Sequence, residues 1–200
     1  MDVIRQDKHM PRDDLTKYLV HWTKGANYDE AFQKLRQIVF EGRLRGSGDL
    51  IRGGWVCVCF TEAPETSFHQ VTGKYKPFGI QVPKSWLFEQ GGRPVIYETN
   101  NEYDLLPDEI KWRHVRYEPN TNPPFDFSWE REWRIQTDEL LLDTAHTRIL
   151  VPDESWAQAL VNEHEVNEHM HLQLMASAYG EEWLMYPVEE FAFRYTVIDV

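Results

Sequence analysis

Apolar and polar positions change rhythm several times along this chain. Tyr18, Leu19, Val20 and Trp22 crowd around His21 ahead of Gly25, so residues 18–22 predict a short strand. Phe32, Leu35, Ile38 and Val39 then recur at helical spacing. Asn27 stands where an N-cap belongs, Glu30 follows three residues later to complete a capping box, and Gly42 supplies the stop. From Trp55 to Phe60 every position is apolar, with Trp55, Cys57 and Cys59 on one face and Val56, Val58 and Phe60 on the other. Such a run predicts a central strand buried on both sides.

Further on, residues 78–82 predict a strand, 83–90 a short helix started by Pro83, and 94–97 another strand after the Gly91-Gly92 turn. Between them and the first strand, residues 44–54 mix Gly and Ser with Arg45, Asp49 and Arg52, which predicts a flexible, partly basic loop. Residues 100–127 are broken by Pro107, Pro119 and the run Asn120 to Pro124, so they predict irregular structure, interrupted by one element within 110–117. Strands are expected over 130–135 and 147–151, a helix capped by Asp153 that ends at Gly180, and a half-buried closing strand over 191–197. Residues 1–14 carry no apolar period and read as a loose N-terminal arm. Residues 15–200 read as a single α+β domain.

Composition narrows the function classes. Hydrophobic residues are 42% and aromatics 14% of the 200 residues, too much apolar surface for a disordered chain. Lys plus Arg number 21 and Asp plus Glu 33, for a net charge of −12, which repels nucleic acid and anionic membrane unless a local basic patch intervenes. No apolar run approaches 18 residues, so no membrane association is expected. The two cysteines, Cys57 and Cys59, sit too close together to staple a fold, and the chain reads as cytoplasmic.

Four groups of residues carry candidate chemistry. In a strand, His21 and Thr23 point to one side and can present an imidazole and a hydroxyl to one ligand; equally, His21 can be a satisfied structural residue. Glu130 and Glu132, at i and i+2 of an expected strand, share a face with Arg134, and Trp129 and Trp133 flank them. Aromatic walls beside a carboxylate suit a flat or cationic ligand, whereas an exposed charged edge strand is the plain alternative. The Cys-x-Cys of the third strand is better read as core packing than as half a zinc site, and Thr61-Glu62 at its end borders a cleft. His164 and His169 are five residues apart, which places their rings on different faces of a helix and argues against a metal pair. Fingerprints of phosphate-binding loops, serine-nucleophile elbows and dinucleotide-binding folds are absent.

The strings Val56 to Glu62, Tyr75 to Ile80, Gly92 to Tyr97 and Trp129 to Arg134 together resemble the bacterial families associated with abortive phage infection, the AbiGi-type proteins and their uncharacterised relatives. That resemblance implies a phage-defence or toxin–antitoxin context. A His-x-Thr ending the first strand, aromatic strands after the helix, and a late Glu-x-Glu are similar to the layout of ADP-ribosyltransferases, including DarT-like toxins. This second resemblance implies an ADP-ribosyltransferase-like mixed or antiparallel β core flanked by helices, with NAD as substrate. It implies that His21 and Thr23 bind NAD, that Glu132 is the catalytic carboxylate, and that Glu130 orients an acceptor.

Tyr97, Phe60, Trp129 or Trp133 is expected to stack on the nicotinamide ring, and Thr61 is expected among the NAD-binding residues. Arg52, with Arg43 and Arg45, is expected to meet the pyrophosphate or an anionic acceptor, the plain alternative being that these arginines only keep a mobile loop soluble. The acceptor would be a macromolecule, protein or nucleic acid. The rival expectation is a non-enzymatic antitoxin or sensor whose acidic surface and aromatic patches bind a cognate basic protein.

Overall fold

The computed structural model describes residues 16–63 and 75–198; the expected arm, residues 1–14, lies outside them. Its centre is a seven-stranded sheet built from β1 (Tyr18–Trp22), β3 (Cys57–Thr61), β4 (Gly79–Pro83), β5 (Arg93–Pro94), β8 (Glu132–Gln136), β10 (Arg148–Val151) and β11 (Arg194–Val197). The spatial order is β11-β10-β4-β1-β3-β8-β5. Neighbours are antiparallel except β10 and β11, which run parallel. Two-stranded sheets pair β2 (Arg43–Arg45) with β9 (Glu139–Leu141), and β6 (Ile96–Glu98) with β7 (His114–Arg116). Among the described residues three α-helices, α1 (Tyr28–Glu41), α2 (Lys84–Glu89) and α3 (Glu154–Tyr179), complete a mixed α+β fold.

The period-2 pattern of the strands divides the sheet into two unlike faces. Leu19, Val58, Phe60, Ile80, Val82, Ile135, Ile149 and Val151 project to one side, where Phe32 and Leu35 of α1, Leu87 of α2, and Ala157 and Leu160 of α3 close the main core. Helix α1 begins and ends as its sequence requires. Asn27 Oδ1 accepts from the Glu30 amide at 2.9 Å, and Glu30 Oε2 reaches back to the Ala26 amide at 3.0 Å. Gly42 stops the helix at φ 64°, a left-handed conformation that costs an L-side chain about 1 kcal/mol or more. On the other side of the sheet Val20, Trp22 and Leu150 form one apolar patch, and Cys57 joins Ile51 and Trp112 in a second. Among the described residues no α-helix covers this side; the segments around residues 50–52, 100 and 112–127 do, with the 3-10 turn Asp108–Arg113 supplying Trp112.

Several boundaries differ from expectation. The loop at 44–54 is shortened by β2, whose register Leu44↔Leu140 places both leucines in the core. The expected strand at 94–97 is two short pieces, because Val95 donates its amide to Glu132 O and turns the chain from one sheet to another. Pro83 caps α2 from outside rather than occupying its first turn. At the C-terminal side, only residues 194–197 form a strand, an exposed edge, whereas Phe191 and Phe193 pack on the core before it. The eighth strand starts at Glu132, since Ser128–Glu130 is a 3-10 turn and Arg131 takes φ 44°.

Candidate functional site

A cavity of about 480 Å³ opens on the face of the sheet opposite the α-helices, beneath the segments that cover it. Its floor is set by strand register. Cys59 pairs with Arg134 and Thr61 with Glu132 across β3 and β8, and these four residues alternate onto the cavity side. Val20 and Trp22 of β1 continue the floor. Beyond the pair Val20↔Thr61, β1 has no further register with β3. His21 bridges the place where the strands part: its Nδ1 lies 2.8 Å from the Cys59 carbonyl. A carbonyl only accepts, so Nδ1 carries the proton and the Nε2 lone pair is left without a partner among the described residues. Burial pulls the His21 proton affinity down, the Cys59 bond partly opposes this, and the nearby Lys24 charge lowers it further. The ring is therefore neutral at pH 7.

Glu132 is held rigidly. Arg134 Nε and a terminal nitrogen grip its two oxygens at 2.8 and 3.2 Å, while the other terminal nitrogen donates to the carbonyls of Trp112 and His114, both at 2.9 Å. Burial opposes the Arg134 charge, and the Glu132 carboxylate more than offsets it, so the guanidinium sits above its ordinary range. The Glu132 amide donates to the Tyr97 hydroxyl at 3.1 Å. Burial pushes the Tyr97 phenol up to about 12, although that amide bond pulls the other way.

Glu130 is buried at the edge of the same cavity. The Thr61 hydroxyl and the Glu62 amide donate to its carbonyl at 2.5 and 3.2 Å, and the Tyr75 hydroxyl donates to Oε2 at 3.0 Å. Burial, followed by the adjacent Glu130 charge, raises the Tyr75 phenol well beyond its usual value.

The rest of the lining is cationic and aromatic. Arg52 lies 4.1 Å from the centroid of the Tyr103 ring and donates to Asn100; Arg116 stacks on Phe125 at 3.5 Å and pairs with Glu118. Lys24 stands 5.6 Å from the Tyr75 ring centroid. His114 is buried behind them, its proton affinity lowered by burial against a bond to the Thr99 carbonyl. On the lining alone, Lys24, Arg52, Arg116 and Arg134 outnumber Glu130 and Glu132 by two, while Glu118 pairs with Arg116 and Asp104 with Arg52 from outside it. Arg134 neutralises Glu132 at the floor, so the two carboxylates and this arginine together keep one negative charge there. An elongated ligand with anionic groups and a planar ring matches these walls.

Of the residues expected from sequence, Glu132, Glu130, His21, Phe60, Thr61 and Arg52 border this cavity. Phe60 and His21 alternate toward the helix-covered side and make an edge-on ring contact, centroids 5.9 Å apart, so Phe60 is core rather than an open stacking wall. Two expected residues are not on the lining. Thr23 is buried and spends its hydroxyl on the Phe78 carbonyl at 3.1 Å, because the chain leaves β1 there and is pinned to the residue just ahead of β4. Tyr97 stands behind Glu132, as its two hydroxyl contacts require.

Trp129 is exposed outside the cavity, Trp133 donates to Glu62, and Arg43 and Arg45 bind Glu41. The shared strand face proposed for Glu130 and Glu132 does not exist either, since the left-handed Arg131 separates them. Arg134, Arg116, Tyr75 and Phe125 escaped the sequence reading as lining residues; Arg134 alone carried a signal, its i+2 spacing from Glu132.

Among the described residues no three His, Cys, Asp or Glu side chains gather as a metal site requires. No helix among them is long and apolar enough to cross a membrane. Comparison of the chain with protein-family models, with curated proteins and with solved structures finds no match.

Proposed function

We propose that this cavity binds NAD and that the protein transfers ADP-ribose from it to a macromolecular acceptor, on an α+β core of ADP-ribosyltransferase type acting in phage defence or a toxin–antitoxin pair. One observation carries the reading: His21 and Glu132, 111 positions apart, border one cavity together with Glu130. Its volume lies within the roughly 300–1,000 Å³ typical of small-molecule sites.

The chemistry follows from the charges. Breaking the bond between ribose and nicotinamide develops an oxocarbenium cation, and a preorganised carboxylate stabilises that cation more than it stabilises the neutral sugar. In this reading Glu132, fixed by Arg134, accepts from a ribose hydroxyl, each of its oxygens keeping lone-pair capacity beyond the arginine bond. The single negative charge left on the Glu130–Glu132–Arg134 group faces the developing cation. His21, its ring turned to the helix-covered side and its Nδ1 on the Cys59 carbonyl, supports the β1–β3 edge of the pocket from behind, and Arg52 with Arg116 takes the pyrophosphate. Glu130 receives the acceptor.

The test is incubation with NAD labelled in its adenylate half, followed by measurement of label transfer and nicotinamide release. Glu132→Gln is expected to lower turnover at least a hundredfold with a small change in NAD affinity. Equal turnover in wild type and Glu132→Gln removes Glu132 from the chemistry. Failure of wild type to bind NAD by calorimetry removes the reading altogether.

A further inference from the structure

A second surface, remote from the cavity chemistry, lies at the far end of α3. Between Arg148 and Arg194 the chain has no Lys or Arg but nine Asp or Glu. Helix α3 meets the core with Ala157 and Leu160 in its first two turns and is then tied down by the Arg36–Glu163 pair. His164 packs on Phe191 and donates to the Glu189 carbonyl, which lays the returning chain along the helix. Past that point the helix ends at Gly180 and continues into a 3-10 turn, Glu181–Met185.

This turn holds apolar side chains where water would normally be met by polar ones. Tyr179 is 69% exposed, Leu184 55%, Met185 86% and Tyr186 57%. Trp183 joins the two tyrosines, its ring centroid 6.5 Å from that of Tyr179 and 5.1 Å from that of Tyr186, with Leu184 and Met185 next to it in sequence. Isolated exposed apolar residues are ordinary, but a contiguous aromatic and methionine cluster with a polar rim is the composition of an interface centre. The rim here is of one sign. Glu181 and Glu182 lie in the turn itself and Glu189 and Glu190 further along the chain that returns from it; all four are exposed, and none has an ion-pair partner among the described residues.

We propose that this tip docks a basic amphipathic segment of a protein partner, with Lys and Arg side chains around an apolar centre. The rim charge selects that occupant. A second copy of the chain would bring four unpaired carboxylates from each side together with no cation within the same segment, and an anionic lipid or nucleic-acid surface would be repelled in the same way. A segment bearing Lys or Arg pairs with the rim while its apolar side chains cover Met185 and the rings, and its association weakens with salt. The proposal stands whether or not the cavity binds NAD.

The experiment uses the full chain and a fluorescent 18-residue peptide of Leu and Lys at helical spacing, followed by anisotropy at low and physiological salt. Wild type is expected to bind it, and to bind a Leu and Glu counterpart at least tenfold more weakly. Met185→Asp, and separately the fourfold reversal of Glu181, Glu182, Glu189 and Glu190 to Lys, should each lower affinity at least tenfold. Reversal of four exposed carboxylates elsewhere, Asp49, Glu89, Glu109 and Asp138, should change it less than threefold. Circular-dichroism melts confirm that each variant is folded. Equal losses from the two reversals, an unaffected Met185→Asp variant, or sedimentation showing that the tip joins two copies of this chain, would each overturn the proposal.

Discussion

Replacing Arg134 with methionine tests the physical basis of the cavity floor. Arg134 is 5% exposed, and its guanidinium makes four contacts: two with Glu132 and one each with the carbonyls of Trp112 and His114. Methionine keeps most of the volume of the stem and removes every donor. Loss of one partner from a buried ion pair costs about 3–5 kcal/mol, because the surviving charge keeps its desolvation penalty. Two orphaned carbonyls add about 1–3 kcal/mol each in a dry site, but the cavity lets water reach this group, so the total stays near the ion-pair figure. For a chain of this length, about 4 kcal/mol corresponds to a fall in Tm on the order of 10 °C. The assay is urea unfolding followed by tryptophan fluorescence.

The companion variant, Glu132→Gln with Arg134→Met, removes both charges and should recover about 2 kcal/mol of the loss, since contacting pairs are non-additive. A single-substitution cost below about 1 kcal/mol, or a double variant as unstable as the two losses summed, would refute the claim that Arg134 anchors Glu132.

Two further outcomes are expected. Burial lowers the proton affinities of His21 and His114 in the folded state, so their contribution to stability is present above the ordinary histidine value near 6.5 and is lost as pH falls below it. The unfolding free energy should therefore drop between pH 6.5 and 5, and His21→Gln or His114→Gln should each flatten that slope; an unchanged slope in both contradicts the assignment. Gly79→Ala should cost about 1–3 kcal/mol by calorimetric unfolding, because its Cβ would stand 2.9 Å from the Trp22 ring and 3.0 Å from Val20 Cγ1, both on the cavity floor; a neutral result would mean that the floor yields.

How far these features were legible in the chain depends on what fixes them. Helix α1 could be read from Asn27, Glu30 and Gly42 because caps act within a few residues. The two-faced strand at Cys57 to Thr61 could be read because alternation is a local property of the backbone. Glu130 and Glu132 were rightly drawn to one place but for the wrong reason: a strand was expected through Arg131, and the positive φ there is imposed by bonds from Thr61 and Glu62, some 70 residues earlier. Thr23 illustrates the converse, since alternation predicts its direction but not the Phe78 carbonyl that consumes its hydroxyl. Arg116 and Phe125 come from the irregular stretch after residue 100, where periodicity offers nothing, and their place is decided by the parallel pairing of β6 with β7.

The left-handed residue between the two carboxylates has a thermodynamic consequence. An arginine at φ 44° sits in a basin that glycine enters freely, so the chain forgoes on the order of 1 kcal/mol at that spot. Glycine there would relax the bend, yet it would also let Glu130 and Glu132 swing independently, trading fixed spacing for ease. Sturdiness and a rigid acidic jaw are thus opposing demands upon a single peptide unit.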